Sequence, residues 1–223
     1  MIQLNSIRKE YDDVIAVKNL TLTINKGEFV YLIGKTGSGK SSLLRTIYGD
    51  LPLKNGKATV VEYDLRKLKS RQIPYLRRKL GIVFQDFQLL MDRTVNENLL
   101  FVMRATHWKD KKLMQKRLME VLAKVHLETK DKKMPHQLSG GEQQRIGIAR
   151  ALINDPEIIL ADEPTGNLDP ETSEGILGLL FDISKTGSSV LMATHNYTFF
   201  EKFPSRTLLC ENGNVLTQFN HQV

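Results

Sequence analysis

"EFVYLIGKTGSGKSSLLRTIYG", residues 28–49, changes character twice. It begins as an apolar run of strand length, passes through a glycine-rich loop, and continues as a helical pattern that stops at Gly49. Residues 34–41, "GKTGSGKS", fit G-x-x-x-x-G-K-[ST], and a strand before with a helix after is the context this motif requires. Gly34, Gly37 and Gly39 let the backbone curl until the N–H groups of the loop, through Lys35, Thr36 and Ser38, face one anionic centre. The helix that follows directs roughly half a positive charge at the same point. Lys40 is suited to β- and γ-phosphates and Ser41 to a Mg²⁺ ion, with Ser42 beside them. The segment reads as a phosphate-binding loop, and it makes the fold an α/β one.

Such a loop needs a carboxylate at the end of a neighbouring strand to position the metal. "EIILADE", residues 157–163, supplies it: Asp162 closes an apolar run and can hold Mg²⁺ through water. Glu163 follows at the strand's carboxyl edge, where it can orient and deprotonate an attacking water, a role worth roughly 10²–10⁴-fold in rate. The competing interpretation is a pair of solvated acids opening a loop.

Around these motifs, "IQLNSIRKEY" and "AVKNLTLTI" alternate as two antiparallel strands about Asp12-Asp13. "KATVVEYDL" and "LGIVFQ" read as further short strands. From Asp92 to Leu127 the apolar residues recur at three and four, as in a helix, and "EQQRIGIARALIN" is another helix, stopped by Pro156. "EIILAD" and "SVLMATH", separated by helical "PETSEGILGLLFDIS", argue for buried parallel strands with a helical crossover. "RTLLCENGNVLTQF" reads as a terminal hairpin turning at Asn212-Gly213.

"LSGGEQQR", residues 138–145, sets two adjacent glycines at the start of a helix, where they weaken it. Backbone N–H groups at a helix start form an anion site, so Ser139, Gly140 and Gly141 are candidates for a second phosphate contact. Either one chain folds this site onto the first, or two chains bring the sites together. Spacing does not choose.

Composition sets outer limits. The 223 residues are 41% hydrophobic and 26% charged, ordinary values for a globular chain, long enough to bury about 70% of the surface of the unfolded chain. One cysteine, Cys210, excludes an internal disulfide and fits a reducing compartment. No apolar run reaches the ~18 residues of a membrane span and the N-terminus lacks a signal-peptide core, so a cytoplasmic location is expected. The net charge of +7 comes with basic clusters at Arg66–Arg71, Arg77–Lys79, Lys109–Lys112 and Lys130–Lys133. Solvated faces, an anionic ligand, nucleic acid or an anionic membrane leaflet would each account for them. Aromatic residues are not interleaved with the basic ones as single-strand binding requires, and charge alone does not decide among these partners.

Taken together and in order, these motifs resemble the nucleotide-binding subunits of ABC transporters, over essentially the whole chain. "GKTGSGKSS" looks like the Walker A motif, "IILADE" Walker B and "LSGGEQQR" the signature motif. "NLD", residues 167–169, looks like the D-loop, and "ATH" ends at a switch histidine, His195. Gln85 in "VFQD" matches the Q-loop glutamine, and Tyr11 stands where an adenine-stacking aromatic falls. The resemblance implies an ABC-type P-loop ATPase with a mixed sheet core, an N-terminal antiparallel β subdomain and an inserted helical subdomain. The chain would then be one domain, with residues 1–90 and 156–223 as the core and about 91–155 as the helical part. ATP and Mg²⁺ are the implied cofactors. Ser41, Gln85 and Asp162 would hold the metal; Glu163, His195, Gln85 and Lys40 would be catalytic. A homodimer would sandwich two ATP molecules, Ser139 and Gly141 reaching the γ-phosphate in trans and Asp169 coupling the sites.

"IPYLRRKLGIVFQDFQLLMDRTVNENL" narrows the resemblance to the FtsE type of cell-division ATPase, which pairs with an integral-membrane FtsX-like partner. The signature and Walker B stretches are shared with the lipoprotein-release and MacB-type export ATPases, which keeps that second role open. A cassette acting on ribosomes or DNA is a third, favoured only by net charge; such proteins usually fuse two cassettes or insert long arms, and with one compact cassette no nucleic-acid partner is expected here. Phe87, Leu89, Leu90 and Met91 beside Gln85 form an apolar cluster, either plain core or a groove for a helix of the partner. Ser42, Glu62 and Asn196 depart from the common pattern without removing a catalytic group.

Overall fold

The computed structural model describes residues 2–11, 14–53, 55–197, 199–211 and 214–216, and nothing of the side chains of residues 5–21, 214 and 216. Its strands, in chain order, are β1 (Ile2–Tyr11), β2 (Val14–Ile24), β3 (Phe29–Ile33), β4 (Asn55–Val60), β5 (Tyr63–Asp64), β6 (Leu80–Val83), β7 (Ile158–Asp162), β8 (Ser189–Thr194), β9 (Arg206–Glu211) and β10 (Asn214–Leu216). The α-helices are α1 (Lys40–Ile47), α2 (Ile73–Arg78), α3 (Val95–Ala105), α4 (Lys111–Lys124), α5 (Gly140–Ala151) and α6 (Pro170–Lys185).

The strands hydrogen-bond in the order β5-β4-β1-β2-β10-β9-β3-β8-β7-β6. From β9 to β6 every pairing is parallel, whereas β1, β2, β4 and β5 pair antiparallel with one another and β10 joins β2 in parallel. The parallel strands are the continuous apolar runs of the sequence because helices cover both their faces. On β3, Phe29, Tyr31 and Ile33 join one core cluster while Val30 and Leu32 join the other, the period-2 alternation of a strand buried on both sides. The first cluster takes in α3, α4, α5 and α6; the second takes in α1, α2 and the antiparallel strands.

Register fixes the site. β3 pairs β8 with Ile33 opposite Thr194, and β7 pairs β8 with Asp162 opposite Ala193. The carboxyl ends of β3, β7 and β8 therefore lie side by side, and the turns leaving them carry the phosphate loop, Glu163 and His195. Between β6 and β7 the chain runs through α3, α4 and α5. Thr94 caps α3 through a reciprocal pair with Glu97, and Asp110 caps α4 by accepting from the N–H groups of Lys112 and Leu113.

Two local expectations are corrected. "KATVVEYDL" is two strands, because Val61 takes a left-handed φ of 57° and turns the chain between β4 and β5. "IPYLRR", not expected as an element, is the short helix α2. Asp12-Asp13 and Asn212-Gly213 lie outside the described residues, although the antiparallel pairings β1–β2 and β9–β10 flank them.

Candidate active site

The loop between β3 and α1 is held from below. Gly34 has φ 151°, and a Cβ there would stand 2.2 Å from the carbonyl oxygen of Cys210 on β9. Only glycine permits that approach. The Cys210 thiol, buried and pushed up by that burial, donates to the carbonyl of Ser38 at 3.0 Å. Gly37 and Gly39 carry φ of 81° and 105°, and Gly39 caps α1, so both are in conformations an L side chain resists. Lys35, Thr36 and Gly37 form the exposed crest of the loop.

Lys40, the first residue of α1, is only 5% exposed. Its ammonium donates to the carbonyls of Gly34 at 2.7 Å and Lys35 at 3.3 Å, and lies 3.4 Å from Oε1 of Glu163. Oε2 of Glu163 is 2.8 Å from Nδ1 of His195 and accepts from the His195 N–H at 3.3 Å. One carboxylate thus stands between a buried cation and an imidazole that is 57% exposed. Glu163 has φ 48°, rare for a residue with a Cβ, and such a conformation costs about 1–3 kcal/mol. Its own N–H donates to the Ala193 carbonyl at 3.0 Å, which ties the strained turn to β8.

Beside this trio, the Ser41 hydroxyl donates to Oδ1 of Asp162 at 3.1 Å. Burial raises the Asp162 carboxyl above the usual range, against the lowering effect of the Ser41 hydrogen bond. A hydroxyl and one desolvated carboxylate are hard oxygen donors that suit Mg²⁺. No cluster of three His, Cys, Asp or Glu able to hold a metal by itself occurs among the described residues. Sites that bind Mg²⁺ together with a nucleotide commonly use one or two carboxylates plus phosphate oxygens and water.

The other sequence candidates lie apart from this centre. Gln85 exchanges hydrogen bonds with Asn167, its Nε2 donating to Oδ1 at 3.3 Å and its carbonyl accepting from Nδ2 at 3.2 Å. No hydrogen bond joins Gln85 to Ser41, Asp162 or Glu163 among the described residues. Ser139 caps α5 through a reciprocal pair: it accepts from the Glu142 N–H at 3.2 Å, and Glu142 accepts from the Ser139 N–H at 2.9 Å. Glu142 also pairs with Lys130 at 2.9 Å, which lowers its carboxyl. Ser139 and Gly141 line an open cleft of about 880 Å³ with Arg145, Glu171 and Thr172. A Cβ on Gly141 would stand 2.4 Å from Cγ2 of Thr172, so the helix start lies flat on α6. No hydrogen bond or ion pair joins residues 138–141 to residues 34–42 among the described residues. Asp169 caps α6, accepting from the Thr172 N–H at 3.0 Å; hydrogen bonding from the Thr172 side chain, and then from its N–H, lowers the carboxyl. The Tyr11 side chain lies outside the described residues. Of the apolar cluster after Gln85, Leu89 is buried and Phe87 packs on the core, while Met91 is 54% exposed.

Three residues that sequence reasoning passed over shape the surroundings. Buried Asn98 accepts from the Leu90 N–H and donates to the carbonyls of Leu90, Arg93 and Thr94, fixing the turn between Gln85 and α3. Gln144 and Arg150 of α5 reach inward to main-chain carbonyls. Nothing in the helical pattern marks Asn98 and Gln144 as buried, or Arg150 as turned to the main chain.

Comparison with known proteins identifies the family. The family model described as ABC transporter matches residues 17–166. The chain is 41% identical over 225 residues to the "Cell division ATP-binding protein FtsE" of Escherichia coli K12, covering 100% of both chains. It is 42% identical over 218 residues to the protein of that name from Mycobacterium tuberculosis, covering 97% of this chain and 94% of the relative. Among solved structures, the dimeric MJ0796, a bacterial ABC transporter cassette, superposes with a TM-score of 0.85 at 36% identity over 96% of each chain. A post-hydrolysis dimer of MJ0796 bound to ADP and Pi gives 0.83 at 35% identity, again over 96% of each chain. On the matched model, the near-complete coverage and the shared cassette fold, this chain belongs to the ABC transporter family of ATP-binding proteins.

Proposed function

We propose that this chain is the ATP-hydrolysing subunit of a cell-division ABC complex, a homodimer in its ATP-bound state attached to an FtsX-like integral-membrane partner. The observation that carries hydrolysis is the placement of Glu163 between Lys40 at 3.4 Å and His195 at 2.8 Å, beside the Ser41–Asp162 pair. The division role is supported by identity across the full length to proteins named for it. The chain would act as one ATPase domain, residues 1–90 and 156–223 holding ATP and about 91–155 supplying the signature helix.

The phosphates of ATP would meet the loop N–H groups of residues 34–42 and the start of α1. Lys40 would trade its carbonyl partners for β- and γ-phosphate oxygens, which frees Oε1 of Glu163 to face the attacking water. Glu163 then accepts a proton from that water while His195, held through Nδ1, keeps the other carboxylate oxygen in place. Mg²⁺, when bound with ATP, neutralises charge that develops on the transferred phosphoryl group. Ser41 and Asp162 would hold it, with Gln85 swinging from Asn167 to join them. Tyr11 would stack on the adenine.

Ser139–Gly141 would serve the ATP of the other subunit, with Asp169 at the same interface. ATP then favours closure because the closed state alone completes each site. No helix of the described residues is long and apolar enough to cross a membrane; the integral-membrane partner would hold the chain at the inner face. Exposed Met91, beside the Gln85 turn, offers the partner an apolar contact. Basic residues near the membrane would add up to about 1 kcal/mol each on an anionic surface.

Lys40→Ala is expected to abolish measurable ATP binding in calorimetry, because it removes the buried cation at the phosphate site. Undiminished affinity would show that Lys40 does not meet the phosphates. Ser139→Ala is expected to leave ATP binding by the monomer intact while impairing dimerisation and hydrolysis. Losing the α5 cap costs about 1 kcal/mol of stability besides, which a melting curve reports separately. Weakened binding to the monomer would place Ser139 in its own chain's site.

A further inference from the structure

Two side chains of α5 point into the molecule rather than toward the nucleotide cleft. Gln144 is fully buried, and its Nε2 donates to the carbonyls of Phe84 at 3.1 Å and Pro164 at 2.6 Å. Those carbonyls belong to the immediate neighbours of Gln85 and Glu163. Six residues along the helix, Arg150 donates to the carbonyls of Phe87 at 2.9 Å and of Gln88. Phe87 and Gln88 have φ of 59° and 48°, two consecutive left-handed residues that both carry a Cβ. Strain of this kind persists only where the surroundings over-determine it, and it gathers at functional sites.

Neither side chain is what folding alone would select. The Oε1 of Gln144 is buried with no hydrogen-bond partner among the described residues. Arg150 has no carboxylate at ion-pair distance among them, and burial pushes its guanidinium down. A buried polar group left half-satisfied is poorer for stability than an apolar one of similar shape. What the pair supplies is geometry: four main-chain carbonyls, that of Phe84 before Gln85, those of Phe87 and Gln88 after it and that of Pro164 beside Glu163, are fixed to a single helix.

We propose that Gln144 and Arg150 are positioning residues for ATP hydrolysis, locking the turns that carry Gln85 and Glu163 to the helix that begins at Ser139–Gly141. When that helix engages nucleotide, its movement is delivered to both turns together. The inference rests on the reading of Glu163 as the base.

The test uses Arg150→Lys and Gln144→Leu in the full chain. Lysine keeps the charge but cannot fork to two carbonyls, and leucine keeps the bulk without the donors. Either change is expected to lower kcat about 10- to 100-fold, as small misplacements of reacting groups do. ATP affinity of the monomer should stay within about twofold, since the phosphate loop is untouched. Deuterium exchange should quicken at residues 84–90 and 163–168 and nowhere else. Leu113→Ala on α4, where the side chain is 55% exposed and outside both turns, is the control and should keep its rate. An unchanged kcat in both variants overturns the proposal. So does a loss shared by ATP binding with exchange quickened throughout, which would make the pair structural only. Glu163→Gln measured alongside separates the two readings: if it still turns over, the base assignment fails, and if it is dead while both variants are fully active, only the clamp fails.

Discussion

Glu163→Gln is expected to bind ATP as the parent does and to hydrolyse it roughly 10²–10⁴-fold more slowly. The substitution keeps size and planarity, so the turn after β7, with φ 48° at residue 163 and its N–H on Ala193, has no cause to move. What it removes is the negative charge between Lys40 and His195 and one of the two acceptor oxygens, the other remaining as the amide carbonyl. Lys40 retains the carbonyls of Gly34 and Lys35 until phosphate replaces them, so binding has no reason to suffer. Single-turnover phosphate release checks the rate, and calorimetry checks the affinity. Turnover at the parent rate would require another base.

Gly34→Ala should be the most damaging change in the phosphate loop. The added methyl would stand 2.2 Å from the Cys210 carbonyl oxygen and 2.7 Å from Oγ of Ser38. The first neighbour is backbone on β9 and cannot rotate away, so the loop itself must shift. Overpacking of that order costs about 1–3 kcal/mol or more, which corresponds to ATP affinity weaker by about 10- to 100-fold. Gly37→Ala is the informative contrast. Nothing lies within 4 Å of its added Cβ, so it meets only the resistance of φ 81°, about 1–2 kcal/mol. Affinities measured side by side should rank Gly37→Ala above Gly34→Ala. The reverse order would mean that contact with β9 does not shape the loop.

The features the sequence made legible are those whose chemistry depends on local spacing. A strand, three glycines, a lysine and a serine build the phosphate loop from neighbours alone, and Asp162 was readable because it ends an apolar run. Features set by distant partners were not. Cys210 supports the loop from β9, and one cysteine in an ordinary strand gives no hint of it. Val61 breaks a strand that its β-branched side chain would be expected to extend. Gln144 is buried within a helix start rich in polar residues, where periodicity shows the apolar face of Ile146, Ile148 and Ala149 but not a glutamine turned inward. Gln85 was recognisable by its motif, yet its bond to Asn167 across 82 residues was not.

The central claim is that two copies of this chain complete each other's ATP sites. Light scattering of Glu163→Gln with saturating ATP tests it most directly. Ser139 and its glycines make no bond to their own phosphate loop among the described residues, so the variant should run as a dimer of about twice the 25.4 kDa chain mass with ATP and as a monomer with ADP. Adding Ser139→Ala to Glu163→Gln should return it to monomer with ATP still bound. An ATP-saturated Glu163→Gln that stays monomeric would contradict the account.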